Sequence, residues 1–201
     1  MAFDDLPPQP SINPRADAYA ETALRLSKLA AKTTRAILDM AYGQDRWQRI
    51  DIYLPPESAK GPFPVFLNIH GGAWTHGYKE WMGLNAPAIV AFPAIYISVS
   101  YRLAPAHKHP VPFEDCLAAF AWTYRNIARH GGDPEKLFVG GHSAGGQLAA
   151  LIALRRDLLA AHDLPQNAVK ACLPYSGVFD MTYAAEDGTR AIVPMCEGLI
   201  A

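Results

Sequence analysis

A serine set between glycines is the first feature of this sequence that indicates chemistry. The segment Gly141-His142-Ser143-Ala144-Gly145 follows apolar residues 137–139 and precedes a stretch rich in alanine and leucine. A sharp strand-to-helix turn exposes a serine hydroxyl above a sheet edge, and it requires close neighbours without a Cβ atom. The pattern alone arises by chance in roughly 7% of chains of this length, so the context carries the inference. That context predicts Ser143 as a catalytic nucleophile; a glycine-rich turn with a solvated serine is the alternative.

A second glycine pair follows another apolar run, in the segment His70-Gly71-Gly72-Ala73-Trp74. Consecutive glycines let the backbone approach a reacting carbonyl, and fixed N–H groups stabilise the negative charge that develops on its oxygen. We expect the amides of Gly71, Gly72 and Ala144 to form this oxyanion hole. Trp74 either lines the substrate pocket or is a buried packing residue. A plain Gly-Gly turn is the alternative reading of the pair.

Alternating strands and helices are predicted to position these two segments. The mostly apolar runs 64–70, 94–101, 136–142 and 169–175 indicate strands buried on both faces, and helical stretches separate them at about 81–91, 113–129 and 144–159. Residues 36–42 and 47–54 predict an antiparallel hairpin whose second strand is half-buried. The class is therefore α/β, with a doubly wound, mostly parallel sheet and flanking helices.

The N-terminal region differs from the rest of the chain. Residues 1–14 hold four prolines, and residues 15–32 have apolar side chains at helical spacing. We expect residues 1–35 to form an arm and a cap helix, and residues 36–201 to form the sheet-containing domain.

Composition excludes several classes of partner. The formal net charge is −1 without a basic block, which argues against nucleic acid and anionic membranes as partners. No apolar run approaches the roughly 20 residues of a membrane-spanning helix, and the acidic N-terminus lacks the features of a signal peptide. Three scattered cysteines indicate reduced thiols and no metal site. We expect a cytoplasmic protein that acts on a small, nearly uncharged molecule.

Three motifs together resemble a known family. Residues 70–74, the segment Tyr101-Arg102-Leu103-Ala104-Pro105 and residues 141–146 are similar, in this order, to the α/β-hydrolase superfamily, in particular to carboxylesterases related to hormone-sensitive lipase and to arylformamidases. The resemblance covers about residues 36–180. It implies a serine carboxylic ester hydrolase, or a formamide hydrolase, that forms an acyl-enzyme on Ser143. The implied substrate is a small-molecule ester, and no metal or organic cofactor is required.

Two positions depart from the lipase-like pattern. His142 stands where the esterases nearest hormone-sensitive lipase have aspartate, and Ala73 replaces a third glycine. Both departures bring the chain closer to the arylformamidase and feruloyl-esterase-like branches. Arg102 is expected to be architectural and to pair with Glu114 or Asp115.

The histidine that would activate Ser143 is not evident. The resemblance implies eight strands, with the acid after the seventh and the histidine after the eighth, whereas the sequence predicts about six and a C-terminally incomplete domain. Asp180 is only a weak candidate for the acid. Only His162 follows Ser143, and a continuous helix to residue 159 would carry it more than about 20 Å away. His76 stays open as a base.

The missing strands and the missing histidine lead to further expectations. A sheet that ends at its sixth strand leaves the edge 169–175 unpaired, so we expect residues 182–201 to cover it or two chains to form a homo-oligomer there. The remaining loop histidines, His70 and His142, are expected to support their loops. The alternative function is a catalytically impaired, hydrolase-like binding or interaction protein that keeps the pocket without turnover.

Overall fold

Six strands form one sheet within residues 3–180, the residues that this computed structural model describes. In chain order they are β1 (Arg35–Ala41), β2 (Arg49–Leu54), β3 (Phe63–Ile69), β4 (Ile95–Val99), β5 (Gly132–His142) and β6 (Val169–Tyr175). Across the sheet their order is β1-β2-β4-β3-β5-β6. Strands β4, β3, β5 and β6 run parallel, while β1 pairs antiparallel with β2 and β2 with β4. The predicted doubly wound, mostly parallel α/β sheet and its N-terminal hairpin are confirmed.

Helices cover both faces of this sheet. They are α1 (Pro14–Thr33), α2 (Ala86–Val90), α3 (Val111–Asn126), α4 (Ala144–Leu154) and α5 (Arg156–Ala161). Alternate residues of β4 belong to two separate apolar clusters: Ile97 packs with Phe120 of α3 and Leu148 of α4, and Tyr96 packs with Ala23 of α1. Burial on both faces explains why the parallel strands appear in the sequence as continuous apolar runs.

Helix α1 agrees with the helix predicted at residues 15–32. Its N-cap is Asn13, whose side-chain oxygen accepts hydrogen bonds from the amides of Arg15 and Ala16, each 3.0 Å long. The side chain of Ser27, on the buried face, accepts a hydrogen bond of 2.7 Å from the Leu84 amide. Helix α1 is thereby held against the chain segment that follows β3.

The sequence predicted that the second strand of the hairpin, β2, is half-buried, but the centre of this strand is fully buried. Ile50, Asp51, Ile52 and Tyr53 of β2 are each 0% exposed. Asp51 forms an ion pair with the buried Lys79, and Tyr53 lies in the cluster that α1 covers. A buried charged residue between two isoleucines reproduces the alternation of a solvent-facing strand, and the prediction was wrong for that reason.

Two of the predicted helices are shorter than their apolar patterns suggested. Residues 81–91 contain part of a 3-10 turn (Lys79–Trp81), a second turn (Gly83–Asn85) and only the short α2. Pro87 fits only the first turn of a helix because it lacks an N–H group, which agrees with a start of α2 at Ala86.

The helix predicted at residues 144–159 is broken at Arg155, which has φ −86° and ψ 63°. The break separates α4 from α5, and Leu159 of α5 is fully buried. The predicted separation of His162 from Ser143 depends on a continuous helix to residue 159, and this helix is not present. His162 instead lines a cavity of about 310 Å³ with Leu151 and Phe113. Ser143 is not among the residues that line this cavity.

Strand β6 lies at one edge of the described sheet, where it pairs only with β5. Leu173 and Tyr175 on this strand are 51% and 42% exposed. Residues 182–201, which were expected to cover this edge, lie outside the described residues. Within residues 3–180 no helix combines the length and the apolar character needed to cross a bilayer.

Candidate active site

Ser143 occupies a sharp bend between β5 and α4. Its φ of 52° and ψ of −119° lie in a region that side-chain-bearing residues rarely adopt, at a cost of about 1–3 kcal/mol. Two hydrogen bonds hold the bend: the Ser143 amide donates to the Tyr175 carbonyl at 3.0 Å, and the Ser143 carbonyl accepts from the Gln147 amide at 3.2 Å. The strained turn that the sequence predicts at this serine is present.

Glycines allow this bend because backbones cross closely around it. A Cβ atom on Gly141 would lie 2.4 Å from the Gly145 carbonyl oxygen. A Cβ atom on Gly145 would lie 2.2 Å from the carbonyl oxygen of Ile69, the last residue of β3. These contacts explain the glycines on both sides of Ser143 and bring the start of α4 against the end of β3.

The double-glycine loop, defined here as residues 70–78, begins where β3 ends and lies against Ser143. A Cβ atom on Gly71 would be 2.8 Å from the His142 carbonyl oxygen and 3.1 Å from the Ser143 Cβ atom. The two segments that the sequence singled out are therefore brought together. Among residues 3–180 no hydrogen-bond acceptor is found for the N–H groups of Gly71, Gly72 and Ala144.

The loop has a tightly turned backbone. Gly72, Ala73 and Trp74 all have positive φ, at 121°, 53° and 60°. The Gly72 carbonyl accepts hydrogen bonds from the amides of Thr75 and His76, at 3.0 and 2.9 Å. This turn reverses the chain immediately after the glycine pair.

Trp74 anchors the loop to its surroundings. Its side chain is 7% exposed, and the indole N–H donates to Gln147 on α4 at 3.2 Å. Its carbonyl accepts from the Ala104 amide at 3.0 Å. These contacts are those of a packing residue, which is one of the two roles that the sequence left open.

His70 connects the same loop to Tyr101 and to the Gly71 carbonyl. Its ring stacks on Tyr101 with 4.3 Å between centroids, and the Tyr101 hydroxyl donates to the His70 carbonyl at 3.1 Å. Nδ1 lies 2.7 Å from the Gly71 carbonyl oxygen, which can only accept, so Nδ1 carries the proton. Burial lowers the pKa of His70 to about 4, and the ring is neutral at pH 7.

This burial predicts a pH dependence of stability. The unfolded chain takes up a proton on His70 near pH 6.5, whereas the folded chain does so only near its pKa of about 4, so stability falls as the pH drops through this window. Between pH 7.5 and pH 5, wild type should lose about 2 kcal/mol more unfolding free energy than His70→Asn. Urea denaturation at several pH values measures this difference, and parallel curves for the two proteins would contradict it.

The other histidines near the loop lie in different surroundings. The His142 ring lies 5.5 Å from the Tyr175 ring, and burial lowers the pKa of His142. His76 contacts the Thr75 hydroxyl through Nδ1 at 2.7 Å. His76 also lines a cavity of about 350 Å³ between the loop and the N-terminal arm, and Ser143 is not among the residues that line it.

No general base is bonded to the serine within the described part of the chain. Among residues 3–180, no hydrogen bond to the Ser143 hydroxyl is found. Asp180, the weak candidate for the acid, lies five residues beyond the end of β6. Within the same residues no group of three or more histidine, cysteine, aspartate or glutamate side chains is arranged to hold a metal ion.

Arg102 pairs with Asp115, one of the two partners that the sequence predicted. Its guanidinium donates to both carboxylate oxygens of Asp115, at 2.8 and 2.7 Å, and its amide donates to one of them at 2.9 Å. Gln48 adds a further hydrogen bond to the same carboxylate, at 2.8 Å. The pair fixes the segment after β4 to α3.

Sequence reasoning missed a buried ionic cluster beside the loop. Lys79 lies among the carboxylates of Asp39, Asp51 and Glu80, and its side chain is 1% exposed. The available signal was Asp51 between two isoleucines, together with a Lys-Glu pair placed directly after the loop.

The sequence matches a protein family and several named relatives. The family described as alpha/beta hydrolase fold matches residues 66–194. Esterase LipQ of Mycobacterium tuberculosis is 34% identical over 179 residues, which cover 86% of this chain and 41% of LipQ. Carboxylesterase NlhH of the same organism is 40% identical over 111 residues, which cover 54% of this chain and 34% of NlhH. The chain thus spans less than half the length of these two relatives.

A solved structure extends the likeness to the fold. An esterase of Pyrobaculum calidifontis superposes with a TM-score of 0.68 at 27% identity. The superposed part covers 84% of this chain and 54% of the esterase chain.

Proposed function

This chain belongs to the α/β-hydrolase fold family, and from that membership we propose that it carries the nucleophile and the oxyanion hole of a serine carboxylic ester hydrolase. Ser143 is the proposed nucleophile, and the amides of Gly71, Gly72 and Ala144 are the proposed oxyanion donors. The relatives are named as esterases, which supports an ester as the bond attacked. The near-zero net charge supports a small, weakly charged substrate.

One observation carries the proposal: the closeness of Gly71 to a strained Ser143. A Cβ atom on Gly71 would lie 3.1 Å from the Ser143 Cβ atom, and Ser143 has a φ of 52°. Strained backbone outside glycine is concentrated at functional sites, where the surrounding structure holds it in place. N–H groups that have no acceptor among residues 3–180, next to such a serine, are the arrangement that acyl transfer requires.

In the proposed reaction the Ser143 hydroxyl attacks the acyl carbon, and the carbonyl oxygen acquires negative charge. The three amides receive that oxygen as hydrogen-bond donors, and the N-terminal end of α4 adds a favourable dipole. Loss of the alcohol leaves an acyl-enzyme, which water then hydrolyses. Trp74 is only 7% exposed, so its proposed contact with the substrate is limited to that small exposed part.

The serine proton is the difficult part of this reaction. In the family arrangement a histidine accepts it and a carboxylate orients the histidine. Within residues 3–180 no side chain is hydrogen-bonded to the Ser143 hydroxyl. An oxyanion hole and substrate binding without the full triad still give about 10³–10⁴-fold catalysis over water. The same observation favours a second candidate function, a protein that binds esters without turning them over.

Covalent labelling distinguishes these two functions. We expect a fluorophosphonate probe to form an adduct on the peptide that contains Ser143, and p-nitrophenyl acetate to release a burst of p-nitrophenol equal to the protein concentration. Peptide mass spectrometry and stopped-flow absorbance measure the two effects. Ser176→Ala is the matched control, because Ser176 also has a positive φ, of 53°, and follows β6. Labelling lost in Ser176→Ala but kept in Ser143→Ala would refute the assignment of the nucleophile, and binding of the ester without either effect would support the second function.

A further inference from the structure

Lys79 is a buried cation that the proposed chemistry does not use. It lies one residue beyond the double-glycine loop and eight residues after Gly71. Its side chain is 1% exposed, although lysine is almost never fully buried without partners. The side chain at position 79 therefore requires buried charged partners, which an exposed loop residue does not.

The ammonium group joins the loop to the N-terminal hairpin. It lies 2.9 Å from Asp51 on β2 and 3.4 Å from Asp39 on β1, and it also pairs with Glu80. Asp51 in turn accepts a hydrogen bond of 2.7 Å from the Asp39 amide. Burial acts to lower the pKa of Lys79, but the neighbouring carboxylates of Asp51 and Glu80 raise it, so the side chain stays charged.

The backbone of Lys79 is fixed as firmly as its side chain. The Lys79 amide donates to the Ser100 hydroxyl at 2.8 Å, and the Lys79 carbonyl accepts from the Ser98 hydroxyl at 2.5 Å. Ser98 belongs to β4, and Ser100 follows that strand directly. Position 79 is thus attached to β1, β2 and the β4 region at once.

The loop between β3 and Lys79 needs such an anchor. Ala73 and Trp74 have positive φ, which costs about 1–3 kcal/mol for each non-glycine residue. Gly72 and Gly77 also have positive φ, at 121° and 107°. A loop with this backbone relaxes unless both of its ends are held. The sheet holds one end at Ile69, and the Lys79 cluster holds the other.

Stability alone does not explain the cluster. Taking an ammonium group and carboxylates out of water costs several kcal/mol per ion, and well-packed apolar residues often give equal or higher stability. We propose that Lys79 is a positioning residue, which pins the end of the double-glycine loop to the sheet and thereby holds the amides of Gly71 and Gly72 against Ser143. Its effect on the reaction rests on the proposed function, whereas its effect on the loop does not.

Two readouts on the full chain test this inference. Hydrogen–deuterium exchange of the hydrogen-bonded loop amides, those of Thr75, His76 and Gly77, reports how firmly the loop is held without any need for activity. Turnover of p-nitrophenyl acetate reports the chemical consequence. In Lys79→Met we expect at least tenfold faster exchange in these residues and at least a tenfold lower kcat, with KM changed less than about twofold, because an oxyanion donor acts mainly in the transition state. Lys79→Arg keeps the charge and should recover part of both.

Ile127→Ala is the matched control for a general loss of stability. Ile127 is fully buried and contacts the start of β5, at the opposite end of the sheet from the loop. Truncating such a residue costs about 2–5 kcal/mol. At a similar loss of thermal midpoint, Ile127→Ala should leave both the kcat and the exchange of the same loop amides unchanged.

Loop exchange in Lys79→Met that equals wild type, or that Ile127→Ala reproduces, overturns the inference. Should Lys79→Met not fold, the triple variant Lys79→Met, Asp51→Asn, Glu80→Gln carries the same test, because it removes the charges of the three buried members and keeps that of Asp39, which is 35% exposed. If Ser143→Ala turns over ester as fast as wild type, the proposed function fails, and the exchange measurement still decides whether Lys79 positions the loop.

Discussion

Ser143→Ala is expected to abolish the acyl-enzyme and to lower ester turnover at least about tenfold, to the residual rate that the oxyanion hole and substrate binding alone provide. The variant keeps the loop amides and the pocket but lacks the oxygen that would form the acyl-enzyme. Alanine replaces serine at the same φ of 52°, so the backbone strain and the thermal midpoint should change little. Steady-state hydrolysis of p-nitrophenyl butyrate, with circular dichroism as a check of folding, measures both effects.

A serine elsewhere in the chain provides the comparison. Ser176→Ala should hydrolyse the same ester at the wild-type rate. If Ser143→Ala retained more than about a tenth of the wild-type rate, the reaction would not pass through an acyl-enzyme on this residue, and the proposed mechanism would be wrong.

Gly145→Ala should lower the free energy of unfolding by about 3 kcal/mol or more. The new Cβ atom would lie 2.2 Å from the Ile69 carbonyl oxygen and 2.5 Å from that of His70. Both contacts are with backbone atoms at the end of β3, which cannot turn aside as a flexible side chain can. Helix α4 would have to move away from the strand, which would also move Ser143 from the loop. Urea denaturation measures the stability, and ester turnover should fall in the same variant.

Gly131→Ala separates a steric clash from the general effect of losing a glycine. Gly131 has a φ of 83°, but a Cβ atom there would lie 3.9 Å from Phe63, in ordinary contact. Only the backbone strain remains, which costs about 1–2 kcal/mol. Equal destabilisation by the two substitutions would mean that the close approach of Gly145 to β3 is not a determinant of the site.

The sequence predicted the parallel strands well because their burial on both faces leaves a simple pattern. Strand β6 has the predicted bounds, and β3 and β5 differ from them by only a few residues. The alternation in β2 predicts a half-buried strand with Asp51 facing solvent, because a periodic pattern does not distinguish a buried ion pair from an exposed charge. The break at Arg155 was missed because the residues on both sides of it are helical.

The backbone geometry around Ser143 and the glycine pair was largely predictable, since its determinants are local. A serine between glycines and a glycine pair after an apolar strand each specify a backbone geometry, and parallel strands bring their ends together. The Lys79 cluster was not predictable in the same way. Its members, Asp39, Asp51, Lys79 and Glu80, are separated by up to 41 positions. The pairing of β1 with β2 and the hydrogen bonds between Lys79 and the β4 region bring them together.

The central claim is that the Ser143 oxygen and the amides of the double-glycine loop face one reacting centre. A crystal structure of the protein after reaction with a phosphonate ester tests it most directly. The predicted structure has phosphorus bonded to the Ser143 oxygen, and the phosphonyl oxygen within about 3 Å of the amide nitrogens of Gly71 or Gly72 and of Ala144. An adduct on another residue, or a phosphonyl oxygen turned away from all three amides, would contradict it.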